Sequence, residues 1–182
     1  MDNQELLELR TRADAMYSQS DLDAALGEYQ KILAIDPNHA WAHSRVGAIL
    51  AQRSQLDQAE KALLKAIELD PQLPQAHSNL GNVYYARGDY EAALAKYKDA
   101  VALDPSVPTF HENLHAAYKR LGKLTEAVAE LKQAHRLDRS KARSEAKERM
   151  TAVKDRITKG KGCLTSAILM LVLSVLLLIS LI

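Results

Sequence analysis

Cysteine, phenylalanine and tryptophan each occur only once in this chain of 182 residues. A single cysteine excludes an internal disulfide framework, and an aromatic content of 5% disfavours β-strands. Proline and glycine are also sparse, with five and seven residues. Alanine and leucine, which favour helices, dominate instead. The composition therefore predicts an all-α protein.

No charge of one sign prevails, since 24 basic residues stand against 23 acidic ones. The basic residues are nevertheless concentrated near the C-terminus, with eight basic and three acidic residues between positions 141 and 161. A nucleic-acid-binding protein would carry its basic patch on the folded body. We therefore expect no nucleic-acid partner.

Asp-Pro pairs recur at one constant spacing, at Asp36-Pro37, Asp70-Pro71 and Asp104-Pro105. Alignment on these pairs places small residues in columns, among them Ala25, Ala59, Ala93 and Ala127, and Ala66, Ala100 and Ala134. Proline ends the helix that precedes it, and small residues let helices approach closely. The period therefore predicts repeated units of two helices each.

The pattern resembles the tetratricopeptide repeat (TPR), a helix-turn-helix unit whose length matches the spacing of the Asp-Pro pairs. The clearest unit is PQAHSNLGNVYYARGDYEAALAKYKDAVALDP, from Pro74 to Pro105. The resemblance covers about residues 6–141 in four units, although the last has Arg139 in the place of proline and His115 in the place of a small residue. It implies an all-α fold, with an α-solenoid of four TPR units over residues 1–141.

A basic amphipathic segment follows at residues 142–162. Its apolar positions lie on one helical face and are Ala142, Ala146, Met150, Val153 and Ile157. This pattern predicts a capping helix that covers the end of the solenoid; contact of its basic face with anionic lipid is the alternative. The Gly160-Lys161-Gly162 stretch predicts a hinge.

Residues 163–182 read CLTSAILMLVLSVLLLISLI and carry no charge. Twenty helical residues span about 30 Å, the thickness of a hydrocarbon core. The run therefore predicts a C-terminal transmembrane helix, as in tail-anchored proteins. Arg156, Lys159 and Lys161 precede it, which predicts a single-pass membrane protein with its N-terminal repeats in the cytoplasm.

One run of five residues matches the pattern of a catalytic motif. His111-Glu112-Asn113-Leu114-His115 matches HExxH, in which two histidines hold zinc and the glutamate activates water. The repeat register accounts for most of it, because His43, His77 and His111 form one column of residues expected to pack with a polar tip. We predict no catalytic residue, no metal ligand and no cofactor. A small membrane zinc metalloprotease remains the alternative.

The TPR resemblance implies a concave groove, lined by the first helices of successive units, that binds a partner peptide or helix. The register assigns seven partner-binding candidates to it: Trp41, Ser78, Asn79, Asn82, Tyr85, Asn113 and Lys119. The run AHSNLGN from Ala76 to Asn82 is similar to units of O-linked N-acetylglucosamine transferase, in which an asparagine ladder binds peptide. A side-chain amide both donates and accepts hydrogen bonds, so such a ladder suits a peptide backbone.

Chaperone-tail-binding members of the family hold a terminal carboxylate with a lysine- and arginine-containing clamp. The corresponding places here hold Ser44, Ala48, Asn79, Thr109 and Asn113, of which only Asn79 matches. The sequence thus predicts a membrane-anchored scaffold or adaptor without this clamp. A self-assembling TPR scaffold is a further alternative.

Overall fold

The computed structural model describes the backbone of residues 3–179 and the side chains of residues 5–155. Eight helices and no strand occur in this range. In chain order they are α1 (Asn3–Ser18), α2 (Leu22–Ile35), α3 (Ala40–Gln52), α4 (Leu56–Leu69), α5 (Pro74–Arg87), α6 (Tyr90–Leu103), α7 (Pro108–Arg120) and α8 (Leu124–Ile179). The chain divides into two compact units, Met1–Leu137 and Asp138–Ile182. The predicted all-helical repeat solenoid is confirmed.

The Asp-Pro pairs form the turn that connects one repeat to the next. At Asp36, Asp70 and Asp104 the backbone leaves helical geometry, and each carboxylate accepts a hydrogen bond from the N–H two residues on, at 2.9 to 3.0 Å. The Ser106 hydroxyl and amide both donate to Asp104, which lowers the pKa of that carboxyl. Aspartate therefore recurs before proline because it supports the turn that proline begins.

The histidine column fastens the same turns. Nε2 of His43, His77 and His111 lies 2.8 Å, 3.0 Å and 3.1 Å from the carbonyl oxygen of the proline six residues earlier. Each ring can donate to that oxygen and so joins the start of a first helix to the preceding turn. This hydrogen bond explains why histidine recurs with the same period as proline.

Within each unit the two helices are joined by a residue in the left-handed conformation. These residues are Ser20 (φ 63°), Ser54 (φ 61°), Gly88 (φ 85°) and Gly122 (φ 72°), each one repeat length after the last. Left-handed geometry is costly for a residue with a Cβ atom. The first two units accept that cost with serine, whereas the last two avoid it with glycine.

The core of the repeat unit consists of close contacts between small and large residues. A Cβ atom on Gly47 would lie 2.5 Å from Cγ of Leu63, and one on Gly81 would lie 2.5 Å from the ring of Tyr97. Leu63 is completely buried and Tyr97 is 2% exposed. The small-residue column is therefore required for helix approach, as the repeat pattern predicts.

The predicted transmembrane helix is not supported. The described part of the chain holds no helix with the length and apolarity that crossing a membrane requires. This finding contradicts the predicted single-pass membrane location with cytoplasmic repeats. The side chains of the apolar run at 163–182, on which that prediction rested, lie outside the described residues.

The backbone of the segment after the fourth unit is helical as far as the structure describes it. A single helix, α8, runs from Leu124 to Ile179, through the positions at which a hinge was predicted. On its described part Met150 is 72% exposed and Val153 is 53% exposed. The boundaries 142–162 and 163–182 stay predictions.

Candidate partner-binding groove

The first helices of the units line one side of the unit Met1–Leu137. The backbone of helix α5 lies close to those of α3 and α7, whereas among the described residues the backbones of the second helices α2, α4 and α6 do not approach one another as closely. Elements that pack side by side on one surface and separate on the other produce curvature. The first helices therefore form the inner, concave surface, and the groove predicted from the register lies there.

Two of the predicted asparagines form a ladder across the units. Nδ2 of Asn79 lies 3.4 Å from Oγ of Ser44, and Nδ2 of Asn113 lies 3.0 Å from Oγ of Ser78. Both serines are buried, at 1% and 5% exposure. The amide nitrogens thus bind the previous unit, and no described donor reaches either amide oxygen.

The other predicted residues lie on the first helices but have different neighbours. Asn82 accepts a hydrogen bond from the Tyr97 hydroxyl at 2.8 Å, and the ring of Tyr85 packs edge-on against Tyr90. Lys119 is exposed near the end of α7. These residues occupy the groove without forming one contiguous cluster.

A cleft of ≈ 240 Å³ opens in the groove. Helices α1, α3 and α5 line it with Tyr17, Ala48, Ala51, Gln52, Asn79, Asn82 and Ala86. Gln52 donates a hydrogen bond to the Tyr17 hydroxyl at 3.0 Å and closes one side. Of the seven predicted partner-binding residues, Asn79 and Asn82 line this cleft, and its alanines were not predicted.

The cleft exists because the second unit has smaller residues than its neighbours. Ala51 takes the place of Tyr17 and Tyr85, and Ala48 takes the place of Asp14 and Asn82. Behind these positions Leu63 replaces tyrosine. In the first and third units that tyrosine, Tyr29 or Tyr97, donates a hydrogen bond to Asp14 or Asn82.

Burial and a hydrogen bond to Asp14 determine the protonation state of Tyr29. Tyr29 is completely buried and donates to Oδ1 of Asp14 at 2.6 Å. Burial raises the pKa of Tyr29 far above its usual value, and the hydrogen bond to Asp14 raises it further. The hydroxyl therefore stays protonated and holds the carboxylate in place.

Two arginines stack on aromatic rings beside the cleft. The guanidinium carbon of Arg45 lies 4.2 Å from the ring centre of Trp41 and 4.8 Å from that of Tyr17. The guanidinium of Arg10 lies 5.0 Å from the ring centre of Trp41. Trp41 was predicted from the register as a partner-binding residue, whereas this arrangement shows that it also supports the arginines.

The HExxH histidines are engaged in structural contacts. Nε2 of His111 lies 3.1 Å from the Pro105 carbonyl, and its Nδ1 lies 2.6 Å from a carboxylate oxygen of Glu130. Nδ1 of His115 lies 2.9 Å from the Ala127 carbonyl. Within the described residues no group of three or more His, Cys, Asp or Glu residues is placed to hold a metal ion.

Comparison with known proteins identifies the repeat. A model of the TPR repeat matches residues 47–86 and 81–122, and a second tetratricopeptide-repeat model matches residues 28–61. The chain belongs to the tetratricopeptide-repeat family. It is accordingly a protein-interaction scaffold of the TPR type. No curated protein matches the chain.

Solved TPR structures share the fold. A crystal structure of MamA is 23% identical with a TM-score of 0.63, over 78% of this chain and 83% of that one. MamA from Desulfovibrio magneticus RS-1 (41-end) is 26% identical with a TM-score of 0.61, over 74% and 76%. A mutant O-GlcNAc transferase of Thermobaculum terrenum is 26% identical with a TM-score of 0.60, over 62% of this chain and 22% of that one. These likenesses agree with the repeat architecture.

Proposed function

We propose that the concave groove binds an extended segment of a protein partner and that the chain acts by holding this partner, without catalysing a reaction. The cleft of ≈ 240 Å³ supports the proposal most directly. It is smaller than the roughly 300–1,000 Å³ of a typical small-molecule pocket. A cleft of this size, open along a groove, suits one side chain of a polypeptide.

The asparagine ladder supplies the second element of the proposal. Asn79 and Asn113 are each oriented by a serine of the previous unit, so their amide oxygens are fixed before a partner arrives. A group held in its binding orientation loses little entropy on association. Two acceptors one repeat apart suit the backbone N–H groups of an extended chain, whatever its side chains.

The contacts of the HExxH motif support the non-catalytic part. A zinc ion would require one ring nitrogen from each histidine. His111 uses both of its ring nitrogens on Pro105 and Glu130, so zinc binding would require it to release a contact. Measurement of zinc in the purified full chain after dialysis tests this part, and zinc at one per chain, lost in His115→Ala, would contradict it.

The ladder itself can be tested with a matched control. We expect Asn79→Ala with Asn113→Ala to weaken partner binding about ten- to a hundredfold, because two hydrogen bonds of about 0.5–1.5 kcal/mol each are lost. The control is Ser44→Ala with Ser78→Ala, which removes the same contacts between units but keeps the amide oxygens. Affinity purification with the tagged full chain measures capture, and a melting curve measures stability.

The asparagine variant should lose the partner, whereas the serine variant should lose only the smaller contribution that orientation of the amides makes. If both double variants lose it in proportion to their loss of stability, the ladder serves folding alone. If the asparagine variant captures the partner normally, the partner binds outside the groove. Either result would contradict the proposal.

Self-association is a second candidate, and one observation favours it. Leu124 and Val128 on α8 are 64% and 49% exposed, whereas Leu22 and Leu26, at the same places in the first unit, pack into the core. The last unit thus exposes an apolar face, whereas the corresponding face of the first unit is covered by the second unit. Light scattering of the full chain and of Leu124→Glu with Val128→Glu tests this, with Leu64→Glu as an exposed control. A monomeric parent chain would contradict it.

A further inference from the structure

The two stacked arginines carry more positive charge than their surroundings neutralise. Nε of Arg10 lies 3.8 Å from Oδ2 of Asp14, and Nε of Arg45 lies 3.6 Å from Oδ1 of the same carboxylate. Both distances exceed that of a hydrogen bond. The Tyr29 hydroxyl already occupies Oδ1 at 2.6 Å. One carboxylate thus faces two guanidinium groups, and a positive charge remains.

Two aromatic rings contact the guanidinium of Arg45. It lies between Trp41 and Tyr17, and its side chain is 25% exposed while Nε is buried. Within the described part of the chain neither Arg45 nor Arg10 donates a hydrogen bond. Arginine offers five donors in a planar fork that matches a carboxylate, and stacking on an aromatic ring orients the fork. The cluster is therefore prepared to bind an anion.

The position of the arginine cluster beside the cleft indicates which kind of ligand carries the anion. Tyr17, which stacks on Arg45, also forms part of the lining of the cleft, together with Ala48 and Ala51. A ligand that reaches the guanidinium therefore passes beside a pocket with an alanine floor. A polypeptide can place a carboxylate and an apolar side chain this close together.

We propose that Arg10, Arg45 and Trp41, with the adjoining cleft, recognise a partner segment in which an aspartate or glutamate lies close in sequence to a bulky apolar residue. The carboxylate accepts hydrogen bonds from the arginines, and the apolar side chain enters the cleft. This inference rests on the proposed groove function and names its partner chemistry. Arg10 and Arg45 lie one repeat before Ser44 and Asn79, two of the places that correspond to the chaperone-tail clamp, but the ligand inferred here is a side-chain carboxylate beside an apolar residue rather than a terminal carboxylate.

A random dodecapeptide library displayed on phage tests the inference with the full chain as bait. In the usual fusion the C-terminus of each peptide is joined to the coat protein, so enrichment reports side-chain carboxylates. We expect selected sequences to be enriched in Asp or Glu next to Leu, Ile, Met or Phe. The enrichment in acidic residues should disappear when the bait is Arg10→Gln with Arg45→Gln. It should persist with Lys132→Gln and Arg136→Gln, which remove two exposed charges from α8.

One selected peptide is then measured by fluorescence anisotropy. Arg45→Gln should weaken its binding about ten- to a hundredfold, because a hydrogen bond to a charged group is lost. Arg45→Lys should also weaken it, since lysine keeps the charge but not the planar fork. Arg10→Gln, at a residue whose side chain is 44% exposed, provides a second variant if a melting curve shows that Arg45→Gln is unstable.

The outcomes separate this inference from the proposed function. Groove-dependent peptides, lost with Asn79→Ala, that show no acidic enrichment would overturn the acidic partner and leave the groove function standing. Peptides that bind independently of the groove, or no selection at all, would overturn both. Enrichment that survives loss of both arginines would assign the acidic preference to another part of the chain and overturn this site.

Discussion

Filling the cleft should abolish partner binding without harming the fold. The most informative change is Ala51→Tyr, because tyrosine already occupies this place in the first and third units, at Tyr17 and Tyr85. The repeat backbone therefore tolerates the larger side chain on this face. In the second unit its ring would occupy the ≈ 240 Å³ that Ala48 and Ala51 leave open.

The expected loss follows from what the cleft can hold. Complete burial of one Val-, Leu- or Phe-sized side chain is worth about 1.5–3 kcal/mol. A partner excluded from the cleft should lose that contribution, so its dissociation constant should rise about ten- to a hundredfold. Isothermal titration calorimetry with the purified partner, or anisotropy with a selected peptide, measures the change.

The matched control is Ala95→Tyr, at an exposed alanine of α6 on the second helix of the third unit. It adds the same ring outside the groove and should leave affinity unchanged. Equal effects of the two variants would show that an added tyrosine acts generally rather than through the cleft. Unchanged affinity in Ala51→Tyr, with an unchanged melting curve, would refute the reasoning.

Two predictions concern stability. Gly88 has φ 85° and open space at the Cβ position, so Gly88→Ala should lower the free energy of unfolding by about 1 kcal/mol. Ser54→Gly, at φ 61°, should raise the free energy of unfolding by a smaller amount. Urea denaturation measures both changes, and effects of the same sign would contradict the explanation. The hydrogen bond from Lys31 and that from Arg12 lower the pKa of Glu28 below 4.5. The Glu28 carboxylate therefore stabilises the fold above pH 4.5, and this contribution is lost as the pH falls through the lowered pKa. Glu28→Gln should accordingly be destabilising at pH 7 and progressively less destabilising below pH 4.5. A constant difference in stability across this pH range would contradict the ion-pair account.

The sequence predicted the repeat fold because its evidence is local and periodic. Each Asp-Pro pair and each small residue acts within one unit or on the next, so a constant period along the chain exposes it. The histidine column was predicted to pack with a polar tip, and the structure adds its acceptor, the carbonyl of the preceding turn, as for His77 and Pro71. The predicted cytoplasmic membrane location failed, since an apolar run such as 163–182 is only a candidate span until a helix is shown to cross.

The groove was harder to predict because its chemistry comes from differences between units. The register placed Asn79 and Asn113 on the inner surface but gave no sign that Ser44 and Ser78 hold their amides. The role of Arg45 in the groove was not predicted. Its stacking depends on the separation of α1 and α3, which a single sequence does not contain. The partner-binding assignment of the seven register residues stays a prediction.

The second unit shows why the cleft is more than a packing defect. Three places lose side-chain volume together, at Ala48, Ala51 and Leu63, yet the core behind them remains closed. Leu63 is completely buried, and a Cβ atom on Gly47 would lie 2.5 Å from its Cγ. The volume is therefore lost on the groove side alone. A rigid floor beneath an open cleft needs no rearrangement to receive a side chain, so binding there retains the free energy that a flexible site would spend on ordering itself.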